Sequence, residues 1–411
     1  MSVVSPVLAL FDQPTVTQKV VRGQVDGLLE AFASVPDPRD ARGVRFPLVV
    51  VLGLAQLAVA CGAIGFDEIA EVAADLDPEL TGAFGLVRSA PSSGTFRRVL
   101  NATDPVALDE ALCRWAEPVV AGESGSVGRV VRRVVSADGK TMRAARHRLE
   151  SGRFTQDQVV EVLDHATGVV LGCQEVDGGD EIGAVGQVMT RLIDRWGSLA
   201  GVVLVADAKH TQHKLVEQVG GAGGWWVLPV KENQPGIHAR VTALPWSDLA
   251  PADVERGKGH GRQETRTIRV IQAPEHIDLG LPGAAQVIKI GRHALRKKNL
   301  TAEPAWTRES AYFLTSLPAQ LADPASLARI VRSHWRIENQ LHWVRDTAYA
   351  EDRHTARTGN GPINLACLRN TAISRHRTTG TDNIRKRLRA CARHAHRALT
   401  SLTTRHDQDQ L

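Results

Sequence analysis

"GVVLVADAKH", residues 201–210, decides how this chain is read. Every residue from Val202 to Ala206 is apolar, and Asp207 follows at once. A short run that is apolar at every position suits a strand covered on both faces, as in a sheet flanked by helices. An acid directly after it stands at the carboxyl end of that strand, where open α/β sheets gather their ligands. The flanks agree. "IGAVGQVMTRLIDRW" before it and "HTQHKLVEQVG" after it have helical period, and "GWWVLPVKENQPG" is a second buried strand ending in a turn. Upstream, "RVVRRVVSAD" (129–138) is Val-rich and extended, and "DQVVEVLDHATGVVLGCQEVD" reads as a hairpin turning at "HATG". Three strands with hairpin pairing, then helix–strand–helix–strand, predict a mixed α/β sheet.

Further downstream, residues 244–317 hold three more strands, "RQETRTIRVIQA", "AQVIKIGRHAL" and "SAYFLTSL", with a polar break at "LRKKNLTAEPAW". "DPASLARIVRSHWRIENQLHWVRDTAYAED" then predicts one long helix, with Asp323 as its N-cap and Pro324 at its first position. Residues 1–125 read as mostly helical, for example "VDGLLEAFASV", "FDEIAEVAADL" and "TFRRVL". The apolar stretch "FPLVVVLGLAQLAVACGAIGF" (46–66) approaches the ~20 residues that a membrane span needs. Its Pro47, Gln56 and many Ala and Gly fit a buried helix better. "AGESGSVG" (121–128) reads as a linker.

Three acids stand out. Asp138 ends its predicted strand, and Gly139 lets the chain turn there; Asp207 ends the central one. If the two strands are neighbours, the carboxylates meet. Glu338 lies on the predicted long helix, about a quarter turn from an apolar stripe of Ile330, Ile337, Leu341, Val344 and Ala348 at ~100° per residue. That stripe would pack on the sheet and hold Glu338 at its edge. Converging carboxylates repel unless cations neutralise them, and hard oxygen donors suit Mg²⁺ or Mn²⁺. Two such ions would stabilise the attacking and leaving oxygens of a phosphoryl displacement. Lys140, Arg143, Lys209 and Arg345 would then meet phosphates. Singly, each acid has a plainer role: an Asp before Gly is a common turn residue, and a helical Glu is commonly just solvated. Asp346, Glu351 and Asp352 compete with Glu338 for the third place.

The chain has 411 residues, 43% hydrophobic and 23% charged, with a net charge of +5. Asp352–Leu411 carries 12 Lys/Arg against 4 Asp/Glu, a net of +8, which leaves −3 for the rest. So basic an end calls for a polyanionic partner, nucleic acid in the simplest case. The five cysteines form no CxxC pair and suit reduced thiols in the cytosol. No signal peptide is visible.

"DPRDARGVRFPLVVVLGLA", "ADGKTMR", "VADAKHTQ", "VLPVKENQP", "GHGRQETR", "HWRIENQLHWVRDTAYAEDRH" and "GPINLACLRNTAI" follow one another in an order that resembles bacterial insertion-sequence DDE transposases of the H-repeat-associated (ISAs-type) family. The resemblance runs from about residue 25 to about 378. It implies a ribonuclease-H-like mixed-sheet catalytic core, divided by a β-rich insertion before the last acid. Around that core it implies an N-terminal helical domain and a basic helical C-terminus. The expected boundaries are 1–125, 126–243, 244–320, 321–378 and 379–411. The implied triad, serving as catalytic groups and metal ligands, is Asp138, Asp207 and Glu338.

Related transposases carry Tyr, Arg and Lys around that Glu. The matching positions here are Val331, which lacks a hydroxyl, His334 and Arg345. Further DNA contacts expected are Lys231, Asn233, His260, Arg262, Arg266 and His342, with Asn233 equally able to cap the next helix. Trp225, Trp226, Trp306, Trp335 and Trp343 are candidates to stack bases at a cut end. The histidines show no closed zinc spacing. The activity implied is cleavage at the element's terminal inverted repeats and strand transfer into target DNA, with two Mg²⁺ or Mn²⁺ ions. A homodimer would bring the two ends together in a cytoplasmic, nucleoid-associated complex. The rivals are a stand-alone nuclease on the same fold and a DNA-binding descendant without catalysis.

Overall fold

The computed structural model describes residues 16–87, 89–122, 131–148, 154–259, 262–274, 277–296 and 305–404. Predicted features at 123–130, His260 and most of the polar break near 300 lie outside them. The chain forms two compact units: Met1–Gly122 with Thr141–Asp157 and Leu341–Leu411, and Glu123–Lys140 with Gln158–Gln340.

The second unit is built on a nine-stranded sheet. In chain order its elements are β1 (Arg133–Arg148), β2 (Phe154–Asp164), β3 (Val170–Glu175), β4 (Val202–Ala206), β5 (Trp225–Val230), β6 (Asp253–Gly259), β7 (Arg262–Gln272), β8 (Gln286–Arg296) and β9 (Ala305–Thr315). The spatial order is β3-β2-β1-β4-β5-β9-β8-β7-β6. β1, β4 and β5 are parallel. β2 and β3 form the hairpin expected at "HATG". The strand-rich block is not a separate sheet: β9 pairs antiparallel with β5, and β8, β7 and β6 continue outward. The sequence reading missed β6. Residues 253–257 of this edge strand are all exposed, so no apolar alternation marks it. β4 is buried at all five positions, as its uniform apolarity requires.

Helices α7 (Glu181–Trp196), α8 (His213–Gly221), α9 (Pro235–Thr242) and α10 (Pro324–Ser333) belong to the same unit. Val134, Val203, Val205, Val227, Ile268 and Ile288 from the sheet pack with Leu327 and Ile330 of α10. Asp323 caps α10 by accepting the Ser326 amide at 2.7 Å, and Pro324 opens the helix, as expected.

One long helix to residue 352 does not form. α10 stops at Ser333; a π-turn spans Glu338–His342, and a short helix, Trp343–Ala348, follows. Ile330, Ile337, Leu341 and Val344 of the expected stripe are all buried, but only Ile330 belongs to the cluster that packs on the sheet. The division between the compact units falls inside the π-turn. A second expectation also fails: β1 does not end at Asp138 but runs on to Arg148. Gly139 therefore makes no turn.

The first unit takes in the later part of β1 and the start of β2 but is mainly helical: α1 (Val16–Glu30), α2 (Leu48–Ala60), α3 (Phe66–Ala74), α4 (Pro78–Ala83), α5 (Ser93–Ala102) and α6 (Pro105–Gly122). After the π-turn come α11 (Trp343–Ala348), α12 (Gly361–Thr378), α13 (Ile384–Ala392) and α14 (Ala395–Thr403). α2 is apolar all round because it is the core: every residue except Val49 is buried. Among the described residues no helix is long and apolar enough to cross a membrane. Gln56, the one polar residue of α2, donates to the Leu368 carbonyl at 3.2 Å. α12 is buried almost throughout, with Asn364 bonded to the Leu100 and Thr103 carbonyls. Chain ends far apart in sequence therefore share one core. Arg369 and Arg375 of the basic region are interior groups.

Candidate metal centre

β1 and β4 carry the first two acids. Their register pairs Ala137 with Ala206, so Asp138 and Asp207 are the next residues on neighbouring parallel strands. Asp138 is half-buried, and its Oδ1 accepts the Gly139 amide at 2.9 Å. Asp207 caps the short turn Ala208–His210 by accepting the Lys209 amide at 2.9 Å. Glu338 opens the π-turn and is exposed. A carboxylate oxygen of Asp138 and one of Glu338 lie within 4.8 Å of each other. Asp207 does not share that close group. Its carboxylate is turned onto its own loop. Two hard oxygen donors at this separation fit Mg²⁺ or Mn²⁺ better than a thiophilic ion.

A fourth acid, Glu181, was not singled out from sequence. It opens α7, directly after the N-cap Asp180. It takes the Lys209 ammonium at 2.7 Å and the His210 ring at 3.1 Å. The His210 hydrogen bond, joined by Lys209, outweighs burial and holds its carboxyl down to about 2. Glu181 also explains Gly139: a Cβ there would sit 2.7 Å from the Glu181 Cδ and 2.9 Å from its Oε1. The helix, the loop after Asp207 and the strand of Asp138 thus meet at one carboxylate. Only tertiary packing reveals this, since a Glu behind an N-cap Asp is ordinary helix chemistry. Gly139→Ala is expected to cost about 1–3 kcal/mol in urea unfolding through this overpacking. Adding Glu181→Ala should recover part of the loss. A double variant no more stable than Gly139→Ala would mean the contact is not the cause.

"VKENQPG" braces the same loop. The Asn233 amide donates to the Ala208 carbonyl at 3.0 Å, and Gln234 donates to the Thr211 carbonyl at 2.7 Å. Asn233 is not the N-cap of α9; Gln234 holds that position.

The remaining expected contacts divide by burial. Lys231 is exposed, and Arg143 is 73% exposed with Asp352 at 3.4 Å. Lys209 is half-exposed but committed to Glu181. Arg266 pairs with Glu264. The side chain of Arg262 lies outside the described set. His334 is half-buried at the end of α10, and Val331 packs on the core. Lys140 and His342 are buried, and Arg345 is fully so. Arg345 is corrected from phosphate contact to structural ion: its guanidinium binds Glu351 at 2.8–3.0 Å and Asn370 at 3.3 Å. Burial likewise denies Lys140 and His342 a solvent face for a phosphate. Of the acids that competed with Glu338, Glu351 is withdrawn into the interior between Arg345 and Arg369. Trp226 is core, whereas Trp306, Trp335 and Trp343 are exposed.

The sheet thus sets Asp138, inside β1, beside Asp207, directly after β4, and Glu338 opens the π-turn that follows α10. Residues 130–374 match the Transposase DDE domain family, and residues 29–116 match the DDE_Tnp_1-associated family. The chain belongs to the DDE transposase family. It is 25% identical over 359 residues to the Escherichia coli (strain K12) chain named "H repeat-associated putative transposase YhhI", covering 84% of this chain and 89% of that one. It is 31% identical over 245 residues to the uncharacterized protein in the dhlA 3' region of Xanthobacter autotrophicus, covering 58% and 78%. A piggyBac transposase synaptic complex with hairpin DNA overlays with a TM-score of 0.38 at 10% identity, covering 94% of this chain and 80% of that one.

Proposed function

We propose that the protein is a metal-dependent DNA transposase, cutting at the ends of an insertion sequence and joining the freed 3′-OH to target DNA. The observation that carries this reading is the approach of Asp138 and Glu338 to within 4.8 Å, with Asp207 at the next strand end. The order β3-β2-β1-β4-β5, with β1, β4 and β5 parallel, supports a ribonuclease-H-like core, and β6–β9 correspond to its β-rich insertion. Asp138, Asp207 and Glu338 would hold Mg²⁺ or Mn²⁺. Bound ions would supply Lewis-acid stabilisation of the attacking and leaving oxygens. The chain's own part is to hold Asp138 within β1, Asp207 at the end of β4 and Glu338 at the π-turn, with Glu181 drawing Lys209 and His210 into the same framework. Cleavage and joining are both displacements at phosphorus, so one site serves both. Bringing two ends together requires two copies, hence a homodimer on DNA.

Arg143 and Lys231 are exposed cations among the predicted contacts, and Trp335 offers an exposed ring three positions before Glu338. α13 supplies a second DNA face. Arg385, Lys386, Arg389 and Arg393 are all exposed and, at ~100° per residue, fall within about 100° of arc, opposite buried Ile384, Leu388 and Cys391. None of the four meets a carboxylate among the described residues. If all four contact phosphates, changing them to Gln lowers the slope of log K against log salt by about 3–4 for duplex DNA. An unchanged slope would remove α13 from the interface.

The test is cleavage of supercoiled DNA carrying the gene's native flanks, with Mg²⁺, Mn²⁺ or EDTA. Cuts at the flanks that need metal, followed by joining to a second plasmid, are the expected result. Cuts without joining would favour the stand-alone nuclease. Binding without cutting under every metal would favour the catalytically silent descendant.

A further inference from the structure

The turn "HATG" between β2 and β3 reads from sequence only as a hairpin connection, yet its histidine is buried. The His165 backbone is fixed twice: its amide donates to the Val134 carbonyl of β1 at 2.9 Å, and the preceding Asp164 accepts Thr167 Oγ1 at 2.6 Å. The ring is held at both nitrogens. Nε2 meets Ser136 Oγ at 2.5 Å, and Nδ1 meets Ser333 Oγ at 2.7 Å. Ser333 donates its own proton to the Ile330 carbonyl at 2.7 Å, so it accepts from Nδ1–H; Ser136, whose Oγ also lies 3.4 Å from the His334 carbonyl, then gives its proton to Nε2 across the shorter contact. Burial holds the imidazole far below its usual range, at about 3, so a neutral ring with one N–H fits this directional chain. The His165 carbonyl also accepts from Arg336 Nη1.

These bonds sit on both sides of the candidate centre. Ser136 is two residues before Asp138 on β1; Ser333 is the last residue of α10, and Arg336 lies two residues before Glu338. α10 ends, and the chain runs on toward the π-turn, at the point where His165 grips it. An uninterrupted helix would leave the separation of Asp138 and Glu338 to the packing of Leu327 and Ile330 alone. We propose that His165 is a positioning residue, clamping β1 to the C-terminal end of α10 and so setting the distance between Asp138 and Glu338. The inference rests on the reading of those two acids as a metal-holding pair. Groups that orient ligands from behind are typically worth about 10–100-fold in metal affinity.

The experiment measures Mn²⁺ affinity of the full chain by paramagnetic resonance of the free ion, with Asp138→Asn as the control for the metal reading. His165→Ala is expected to weaken binding about 10–100-fold. Ser333→Ala should weaken it in the same direction, and Ser333→Thr, which keeps the hydroxyl, should restore it. In EDTA, amide exchange over residues 334–340 should quicken in His165→Ala while β4 stays protected. A merely structural histidine would lower melting temperature without moving Mn²⁺ affinity or this local exchange, and that result overturns the clamp. Should His165→Ala not fold, the Ser333 pair decides. If Asp138→Asn leaves Mn²⁺ affinity unchanged, the metal reading fails instead, and the exchange measurement alone judges whether His165 holds α10 to β1.

Discussion

Glu338→Gln is expected to lower metal-dependent cleavage by on the order of a thousandfold while leaving the fold intact. Glutamine is nearly isosteric and keeps one oxygen, so packing is unchanged; what goes is one negative charge beside Asp138. Metal chemistry of this kind supplies several kcal/mol of transition-state stabilisation, and each ~1.4 kcal/mol is tenfold in rate. Because Glu338 is exposed, the exchange should change urea unfolding by no more than about 0.5 kcal/mol, as is usual for surface substitutions. The readout is nicking of flank-bearing plasmid at saturating Mn²⁺. Cleavage within tenfold of the parent would remove Glu338 from the centre. Asp346 and Asp352 would then be the next acids to replace.

Glu351→Gln is expected to do the reverse. It should cost about 3–5 kcal/mol of stability, the usual result of breaking a buried pair from one side. Glu351 is wholly buried and answers two cations: Arg345 at 2.8 Å and Arg369 at 2.6 Å. Arg369 also donates to the Ile64 carbonyl at 2.6 Å, so the ions tie α12 to the segment after α2. The chain enters this cluster through Ala350, whose φ of 47° is the only positive value among described non-glycine residues. Neutralising Glu351 removes the carboxylate that both guanidinium groups share, in a site where desolvation already depresses the Arg369 pKa. The measure is the urea midpoint at constant m-value. A loss under 1 kcal/mol would mean that water or another group replaces the carboxylate. Comparing the two Glu→Gln variants separates a working acid from a structural one.

Much of the sheet was legible in the chain. β4, β5 and the β2–β3 hairpin show plainly because burial on both faces demands unbroken apolar runs, and a tight turn demands residues such as those of "HATG". α10 was announced by its Asp323–Pro324 start. The edge strand β6 was not legible, because an exposed strand is free of that demand. The break after Ser333 was missed because the apolar stripe continues beyond it, and helical period says nothing about a histidine 168 residues earlier in sequence that holds Ser333.

By itself, then, the sequence determined which segments must be buried, that Asp207 ends a strand and, through its motifs, the transposase family. Those properties follow from local periodicity and from chemistry carried on consecutive residues. Tertiary structure alone decided which charges are withdrawn. Glu351, Arg345 and Glu338 stand within thirteen residues of one another, yet two are interior ions and one is exposed. It also decided that Gly139 makes room for Glu181 rather than a turn, and that Ser136 and Ser333 share one imidazole. Contacts between residues far apart in the chain depend on how strands and helices pack, and no local pattern encodes them.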